Sequence, residues 1–314
     1  MKGEDRNSIN INVIIVTYNG MQWIDTCLKS IVNSSTKLDI IVIDNNSSDG
    51  TVSYIKKQYP EIILFEQKTN LGFGKANNLG MSHALNNNCD YVFLLNQDAY
   101  LEADTIVRMI EVHKENSEYG ILSPIHLNGE GNKLDKNFSN YLRYDSNNYF
   151  YHDAIKQQLK SVYPVPFVNA AAWLLPVSTL KRIGGFDPIF FHYGEDDNYC
   201  QRALFHSLKT GVVTNAFIRH DRESVVKRFF KTDVDKLKNK EIQLKIVYGN
   251  LNIDNGTELY SLKAKQLIII LKFLLQLKFK QTKYAYKEHK LIKNSKEEII
   301  LSKSINKIKG SHYL

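Results

Sequence analysis

Apolar residues arrive in short unbroken runs through the body of the chain, and each run stops abruptly at polar residues. Residues 11–16, 38–43, 62–65 and 91–95 read this way. A run without alternation is apolar on both faces, the habit of strands in a parallel sheet covered by helices. Between them the period changes to the helical one. Over residues 21–32, Trp23, Ile24, Cys27, Leu28 and Ile31 fall on one face. Helices are likewise predicted over 51–58, 74–85, 103–114 and 198–205. Strand–helix–strand spacing of this kind implies right-handed crossovers. The expected fold class is therefore α/β, a Rossmann-like, mostly parallel central sheet flanked by helices. From 126 to 163 the pattern fades into a polar, tyrosine-rich segment (Tyr141, Tyr144, Tyr149, Tyr151, Tyr163), and order returns at 165–176 and 211–219.

The strand ends carry the candidate chemistry, because open α/β sheets bind ligands outside the carboxyl ends of their strands. Thr17-Tyr18-Asn19 follows the first strand and Asp44 the second. Asn96-Gln97-Asp98 follows the strand at 91–95, and Glu195-Asp196-Asp197 follows the aromatic run from Phe190 to Tyr193. Asp98 is placed either to hold a hard cation against a phosphate or to cap the helix at 103–114. Ser47 or Ser48 suits a helix cap, and Glu195 to Asp197 suit a helix N-terminus. Gly72-Phe73-Gly74 lets backbone approach closely but is neither a Walker loop nor a full dinucleotide fingerprint. Trp173, inside Ala170 to Leu175, either belongs to the core or stacks on a sugar face.

Composition adds a boundary. Of the 314 residues, 43% are apolar and 24% charged, ordinary for a soluble globular protein. The net charge of +8 is unevenly spread. Residues 225–314 hold 20 Lys and Arg against 8 Asp and Glu, while 1–224 hold 21 against 25. Two units follow: a mildly acidic body at 1–224 and a basic helical extension at 225–314. Such asymmetry points to an anionic partner. Cys27, Cys89 and Cys200 are widely spaced, which fits a reducing compartment rather than disulfides or structural zinc. No long apolar run precedes Ile11, so no secretory leader is expected.

Residues 267–275 are the most apolar run, broken by Lys272 and short of the roughly 20 residues a membrane span needs. At helical spacing Leu267, Ile270, Leu271, Leu274 and Leu277 share a face, with Lys265, Lys272, Lys283, Lys287 and Lys290 opposite. Residues 260–290 thus either lie on an anionic membrane surface or pack on the body or a second copy in a homodimer. No recognition motif supports nucleic acid as the partner.

The order and spacing of these segments resemble the family 2 inverting glycosyltransferases of GT-A fold. The residues that carry the resemblance are Val16-Thr17-Tyr18-Asn19, Ile43-Asp44 through Gly50, Asn70-Leu71-Gly72-Phe73-Gly74-Lys75-Ala76-Asn77-Asn78 and Asn96-Gln97-Asp98-Ala99. Gly184-Gly185-Phe186-Asp187, Phe190 to Asp196, and His220 with Ser224 complete them. The Asn96–Ala99 form and the 70–78 segment are most similar to rhamnosyltransferase-type members.

The resemblance implies roles. Asp98 and His220 would hold Mn²⁺ or Mg²⁺, which offsets charge on a leaving diphosphate. Asn96 stands where the two-aspartate form of the motif has its first acid. Asp196 would be the general base and Glu195 its support or an acceptor ligand, with Trp173 also at the acceptor. Asn198 departs from the further acid usual two places beyond the base. Thr17, Tyr18, Asn19, Asp44, Asn70, Gly72, Asn77, Asn96 and Gln97 would border the nucleotide, with Asp44 accepting from a pyrimidine imide and so favouring UDP- or dTDP-sugars. The implied protein is cytoplasmic, peripheral at the inner face of the cell membrane, and acts on a glycan or lipid-linked glycan in cell-surface polysaccharide assembly. Two alternatives predict otherwise. A sugar-nucleotide nucleotidyltransferase needs a glycine-rich basic loop where Thr17-Tyr18-Asn19-Gly20 stands. A decayed binding scaffold would have lost Asp44, Asp98 or Asp196.

Overall fold

The computed structural model describes residues 9–222 and 232–314. The elements run β1 (Ile11–Thr17), α1 (Ile24–Val32), β2 (Asp39–Asp44), α2 (Thr51–Gln58), β3 (Ile63–Glu66), α3 (Phe73–Asn86), β4 (Tyr91–Asn96) and β5 (Ala99–Leu101). Then come α4 (Thr105–Glu115), β6 (Tyr119–Asn128), α5 (Tyr144–Ile155), β7 (Val162–Pro164), β8 (Ala172–Pro176), α6 (Val177–Ile183), α7 (Glu195–Phe205) and β9 (Lys209–His220). The chain ends with α8 (Asp233–Gly249), α9 (Gly256–Leu275) and α10 (Phe279–Asn306).

The nine described strands form one sheet, ordered β3-β2-β1-β4-β8-β6-β9-β5 with β7 beside β9. The half formed by β3, β2, β1 and β4 is parallel, as the unbroken apolar runs predict. Beyond β4 the sheet is mixed: β8 runs antiparallel to β4 and β6, and β9 runs parallel to β6. Successive strand residues point to opposite faces. Val13, Ile15, Phe93 and Leu95 meet α1, α2 and α4, whereas Ile14, Ile41, Ile43, Val92 and Leu94 meet α3, α6 and α7. On α1, Ile24, Cys27, Leu28 and Ile31 are buried as its periodicity predicts. Each such Leu or Ile contributes about 1.5–3 kcal/mol by leaving water. All three cysteines are buried and free.

Parallel register aligns the functional strand ends. Thr17 lies opposite Asp44, and Val16 opposite Asn96. The segment at 126–163 is more ordered than its polarity suggests. It holds the end of β6 and all of α5, whose kink at Asn147 (φ −143°, ψ 47°) masks the helical period. The acids at 195–197 are the first turn of α7 rather than a turn before it.

The C-terminal helices share the interior of the body. Asp187, buried near the head of α7, accepts from Ser302 Oγ and Asn306 Nδ2 of α10, each at 2.6 Å. The buried guanidinium of Arg202 donates to Asn198 Oδ1, to the Ile183 and Gly185 carbonyls, and to Asn306 Oδ1. Four neutral acceptors hold this charge in a place where a lone ion would be costly. Gly185 N donates to the His312 carbonyl at 2.8 Å. The boundary drawn at 224/225 and Ser224 lie outside the described residues.

Candidate active site

On the parallel half, the loops after β1 and β2 are laced together. Thr17 Oγ1 donates to Asp44 Oδ1 at 2.9 Å, and Ser47 N donates to Asp44 Oδ2 at 2.9 Å. Thr17 and Asp44 are 0% and 2% exposed, so they form the floor of this region. Above them Asn19, in the left-handed region at φ 49°, accepts from Ser48 N and donates its own N–H to Ser47 Oγ. Gln97 clamps the same loop, accepting from Tyr18 N at 3.0 Å and donating to the Tyr18 carbonyl. The Tyr18 ring stands half exposed at the rim.

The 70–78 segment closes one side. Asn45 accepts from Leu71 N, and Asn70 from Gly72 N. Gly72 has φ +80°, and a Cβ there would collide with the Phe191 carbonyl oxygen. Only glycine lets this loop meet the aromatic run before α7. Asn77 is 1% exposed and donates to the Phe73 carbonyl within α3, so it lies inside the fold rather than at the rim.

The second half centres on Asp98 and His220. Ala99 pairs with His220 across β5 and β9, and Asp221 N donates to the Asp98 carbonyl at 2.8 Å. This pairing brings His220 Nε2 to 3.3 Å from Asp98 Oδ1. Beneath them His126 is fully buried, stacked on Phe138 and edge-on to His220. Burial first, with His220 and Arg222 beside it, holds the His126 pKa well below the usual imidazole range, so it is a neutral platform.

Arg222, which sequence reasoning missed, completes this cluster. Its Nε lies 2.9 Å from His220 Nδ1 and 3.2 Å from His220 Nε2, and 3.9 Å from Asp135 Oδ2. Nη2 of Arg222 is buried without a hydrogen-bond acceptor among the described residues. A divalent cation held between Asp98 and His220 would need an imidazole nitrogen that Arg222 does not occupy. One carboxylate and one imidazole suit a hard cation that takes its other ligands from phosphates and water. No group of three or more His, Cys, Asp or Glu side chains able to hold a metal occurs among the described residues.

The acids of α7 face this cluster. Gly194, at φ +90°, turns the chain into the helix, and a Cβ there would press on Phe190 and Ile246. Asp196 accepts from Asp197 N at 3.0 Å and from the Ala170 backbone N–H, and feels the positive charge of Arg222. Burial nevertheless raises its pKa. Burial and the Asp196 charge push Asp197 up to about 7 and Glu195 up to about 8. Glu195 Oε2 is buried with no donor to meet it. The helix N-terminus offsets part of this cost, since its N–H groups favour anions. Tyr141, one of the tyrosines the sequence singled out, is edge-on to Phe138 and Phe167 and lies in the field of Asp135, Asp196 and Arg222.

Trp173 is a correction. It is 0% exposed, stacked on Phe186 and tilted against Tyr199 beneath the sheet, so it belongs to the core and touches no acceptor. Asn198 is buried too, its Oδ1 accepting from Arg202 Nε at 3.0 Å.

Sheet order, strand directions and the placement of acids at the strand ends define a GT-A-type nucleotide-sugar fold. Solved structures bear out the fold. TarS residues 1–349 from S. aureus, in complex with UDP, aligns with a TM-score of 0.52 at 14% identity, covering 80% of this chain and 69% of that one. GalNAc-T7 with UDP, GalNAc and Mn²⁺ aligns with a TM-score of 0.56 at 14% identity, covering 77% and 49%. The chain belongs to glycosyl transferase family 2, whose profile matches residues 12–183. A low-salt glycan biosynthesis hexosyltransferase, Agl10 of Haloferax volcanii, is 24% identical over 207 residues, 64% of each chain. A poly(ribitol-phosphate) beta-glucosyltransferase of Bacillus spizizenii is 27% identical over 131 residues, 39% of this chain and 20% of that one. The chain thus spans less than two thirds of the length of either relative.

Proposed function

We propose that this protein transfers one sugar from a UDP- or dTDP-sugar to a hydroxyl of a glycan acceptor, with inversion at the anomeric carbon. The observation that carries the reading is the meeting of α7, β4 and β9. The base candidate Asp196, the Asp98–His220 pair and the cation Arg222 converge at one end of the sheet. Asp196 removes the acceptor hydroxyl proton as that oxygen bonds to the anomeric carbon. The bond from that carbon to the diphosphate breaks, and the diphosphate leaves with the electron pair. A carboxylate with a raised pKa is the stronger base for this step, provided that it is ionised. Asp98 and His220 would hold Mn²⁺ or Mg²⁺, which supplies Lewis-acid compensation of diphosphate charge. Arg222, with its unsatisfied Nη2, is the protein's own cation for the same charge.

Thr17 and Asp44 form the base floor, and Tyr18, Asn19 and Asn70 its rim. TarS structures with UDP and UDP-GlcNAc support a uridine donor by analogy of fold. The Asn96–Ala99 form favours a rhamnosyltransferase-like member, hence dTDP among the candidates. A polysaccharide or lipid-linked acceptor, and a cytoplasmic place at the membrane's inner face, belong to the same reading. The test is thermal stabilisation by UDP, dTDP and GDP, each with Mn²⁺ and again with EDTA. A nucleotide at about 100 times its Kd adds roughly 2.7 kcal/mol. A metal-dependent shift with one pyrimidine diphosphate is expected, and no shift with any nucleotide overturns the donor reading.

A further inference from the structure

The helices α8, α9 and α10 pack side by side, but α9 turns only a narrow seam inward. Leu259 and Gln266 are buried, and Ile270 and Phe273 are half-buried. Gln266 Nε2 bonds Glu288 of α10 at 2.8 Å, and Lys240 of α8 bonds the same carboxylate at 2.7 Å. Everything beyond this seam faces outward. Leu267, Ile268, Leu271 and Leu274 are exposed along α9. At the turn into α10, Leu275, Leu277 and Phe279 are 87%, 72% and 68% exposed. The sequence pattern put Ile270 on the same face as Leu267 and Leu271; the packing puts it on the opposite, inner side. A run as apolar as 267–275, broken only by Lys272, that buries one narrow seam leaves an apolar surface in need of a nonaqueous neighbour.

Charge identifies that neighbour. Between Leu259 and Lys287 the chain carries seven lysines and no Asp or Glu. Lys265, Lys272, Lys278, Lys280 and Lys283 are exposed around the apolar residues. A second copy of this chain is a poor occupant, because a two-fold contact sets each patch against its own equivalent. It would trap like charges where water is excluded. Nucleic acid would meet aliphatic side chains where it needs stacking surfaces. No helix among the described residues is long and apolar enough to cross a bilayer.

We propose that the α9–α10 tip, centred on Leu271, Leu275, Leu277 and Phe279 and ringed by Lys272, Lys278 and Lys280, seats this protein on an anionic lipid bilayer. The apolar side chains enter the headgroup–acyl boundary and the lysines meet the lipid phosphates. This names the surface for the membrane-peripheral reading above, but does not depend on the transferase chemistry. Geometry gives it a consequence. α10 rises about 28 Å from Phe279 at the tip to Glu298, at 1.5 Å per residue. Glu298 and Ile189, in the loop before the catalytic acids, are both bonded by Lys245. That length is the most by which α10 could stand the site off the surface.

Flotation of the full-length protein with vesicles tests this. Vesicles of equimolar phosphatidylcholine and phosphatidylglycerol should carry the protein, and phosphatidylcholine alone should not. The triple variant L275S/L277S/F279S and the charge reversal K272E/K278E/K280E should each lose binding by on the order of tenfold or more. Both should keep the wild-type melting temperature and nucleotide-induced shift, which separates a failed surface from a failed fold or donor site. Wild-type protein left unbound by anionic vesicles overturns the proposal, as does binding indifferent to both variants. So does a wild-type dimer in solution that the serine variant converts to monomer.

Discussion

The two halves of the candidate site are built on opposite terms. On the parallel side, Thr17, Asp44, Ser47, Asn19 and Ser48 are linked by hydrogen bonds of 2.9 Å, and Gln97 bonds both backbone groups of Tyr18 at 3.0 and 3.3 Å. On the mixed side, three consecutive carboxylates crowd the start of α7. Among the described residues, Glu195 Oε2 and Arg222 Nη2 have no hydrogen-bond partner there. A satisfied network keeps a shape; an unsatisfied one keeps a chemical potential for something still to bind. The first half therefore reads as a mould for the invariant part of a donor, and the second as the place where charge moves.

Asp196→Asn should produce the largest effect. An amide cannot take the acceptor proton, so turnover should fall by roughly 10²–10⁴-fold. The nucleotide-induced melting shift should persist, because the donor floor lies on other elements. Comparable turnover in mutant and wild type would remove Asp196 from the base role. Asp44→Ala tests the other half by the opposite signature. It strips Thr17 Oγ1 and Ser47 N of their acceptors in a buried place, at a cost of about 1–3 kcal/mol. Chemical denaturation should show that loss, and the nucleotide shift should vanish with it. Unchanged stability would mean that the network is incidental.

This contrast also explains what the sequence made legible. Strand ends are local features: an apolar run that stops at Thr17, Asp44, Asn96 or Asp98 announces itself within a few residues. Contributions from separate loops are not. Arg222 and Asp135 have unremarkable neighbours in sequence and gain meaning only when β6, β9 and α7 bring them around Asp196. Trp173 and Asn77 carry groups that suit a ligand, but the sheet and α3 turn them inward, where Phe186 and the Phe73 carbonyl occupy them. For α9 the pattern showed amphipathicity without showing which face has a partner. Only the position of the Gln266–Glu288 contact decides that.

Smaller effects probe the acid cluster itself. Glu195 is raised to about 8 by burial and by Asp196, above its value in the unfolded chain. A raised carboxyl favours folding while protonated, so its contribution is complete below the unfolded pKa. It is lost as pH climbs towards 8. Glu195→Gln removes that titration. Unfolding free energies of variant and wild type should agree near pH 5, and the variant should lead by a few kcal/mol at most near pH 9. A lead that does not grow with pH would show that Glu195 is not held as an acid.

Asp197→Asn gives the finest test, because it leaves the base in place and alters only its surroundings. Asp197 is raised to about 7 by burial first and by the Asp196 charge second. The two carboxylates share the cluster's protons, so the acid limb of a pH–rate profile belongs to the group rather than to one residue. Removing one negative charge makes it easier to ionise what remains. The acid limb of kcat/KM should therefore move to lower pH, with activity near pH 6 rising a few-fold relative to the plateau. The plateau itself should change little if Asp197 only tunes its neighbour. A limb that stays in place, alongside a lower plateau, would instead put Asp197 in contact with the acceptor and give the third acid a binding role.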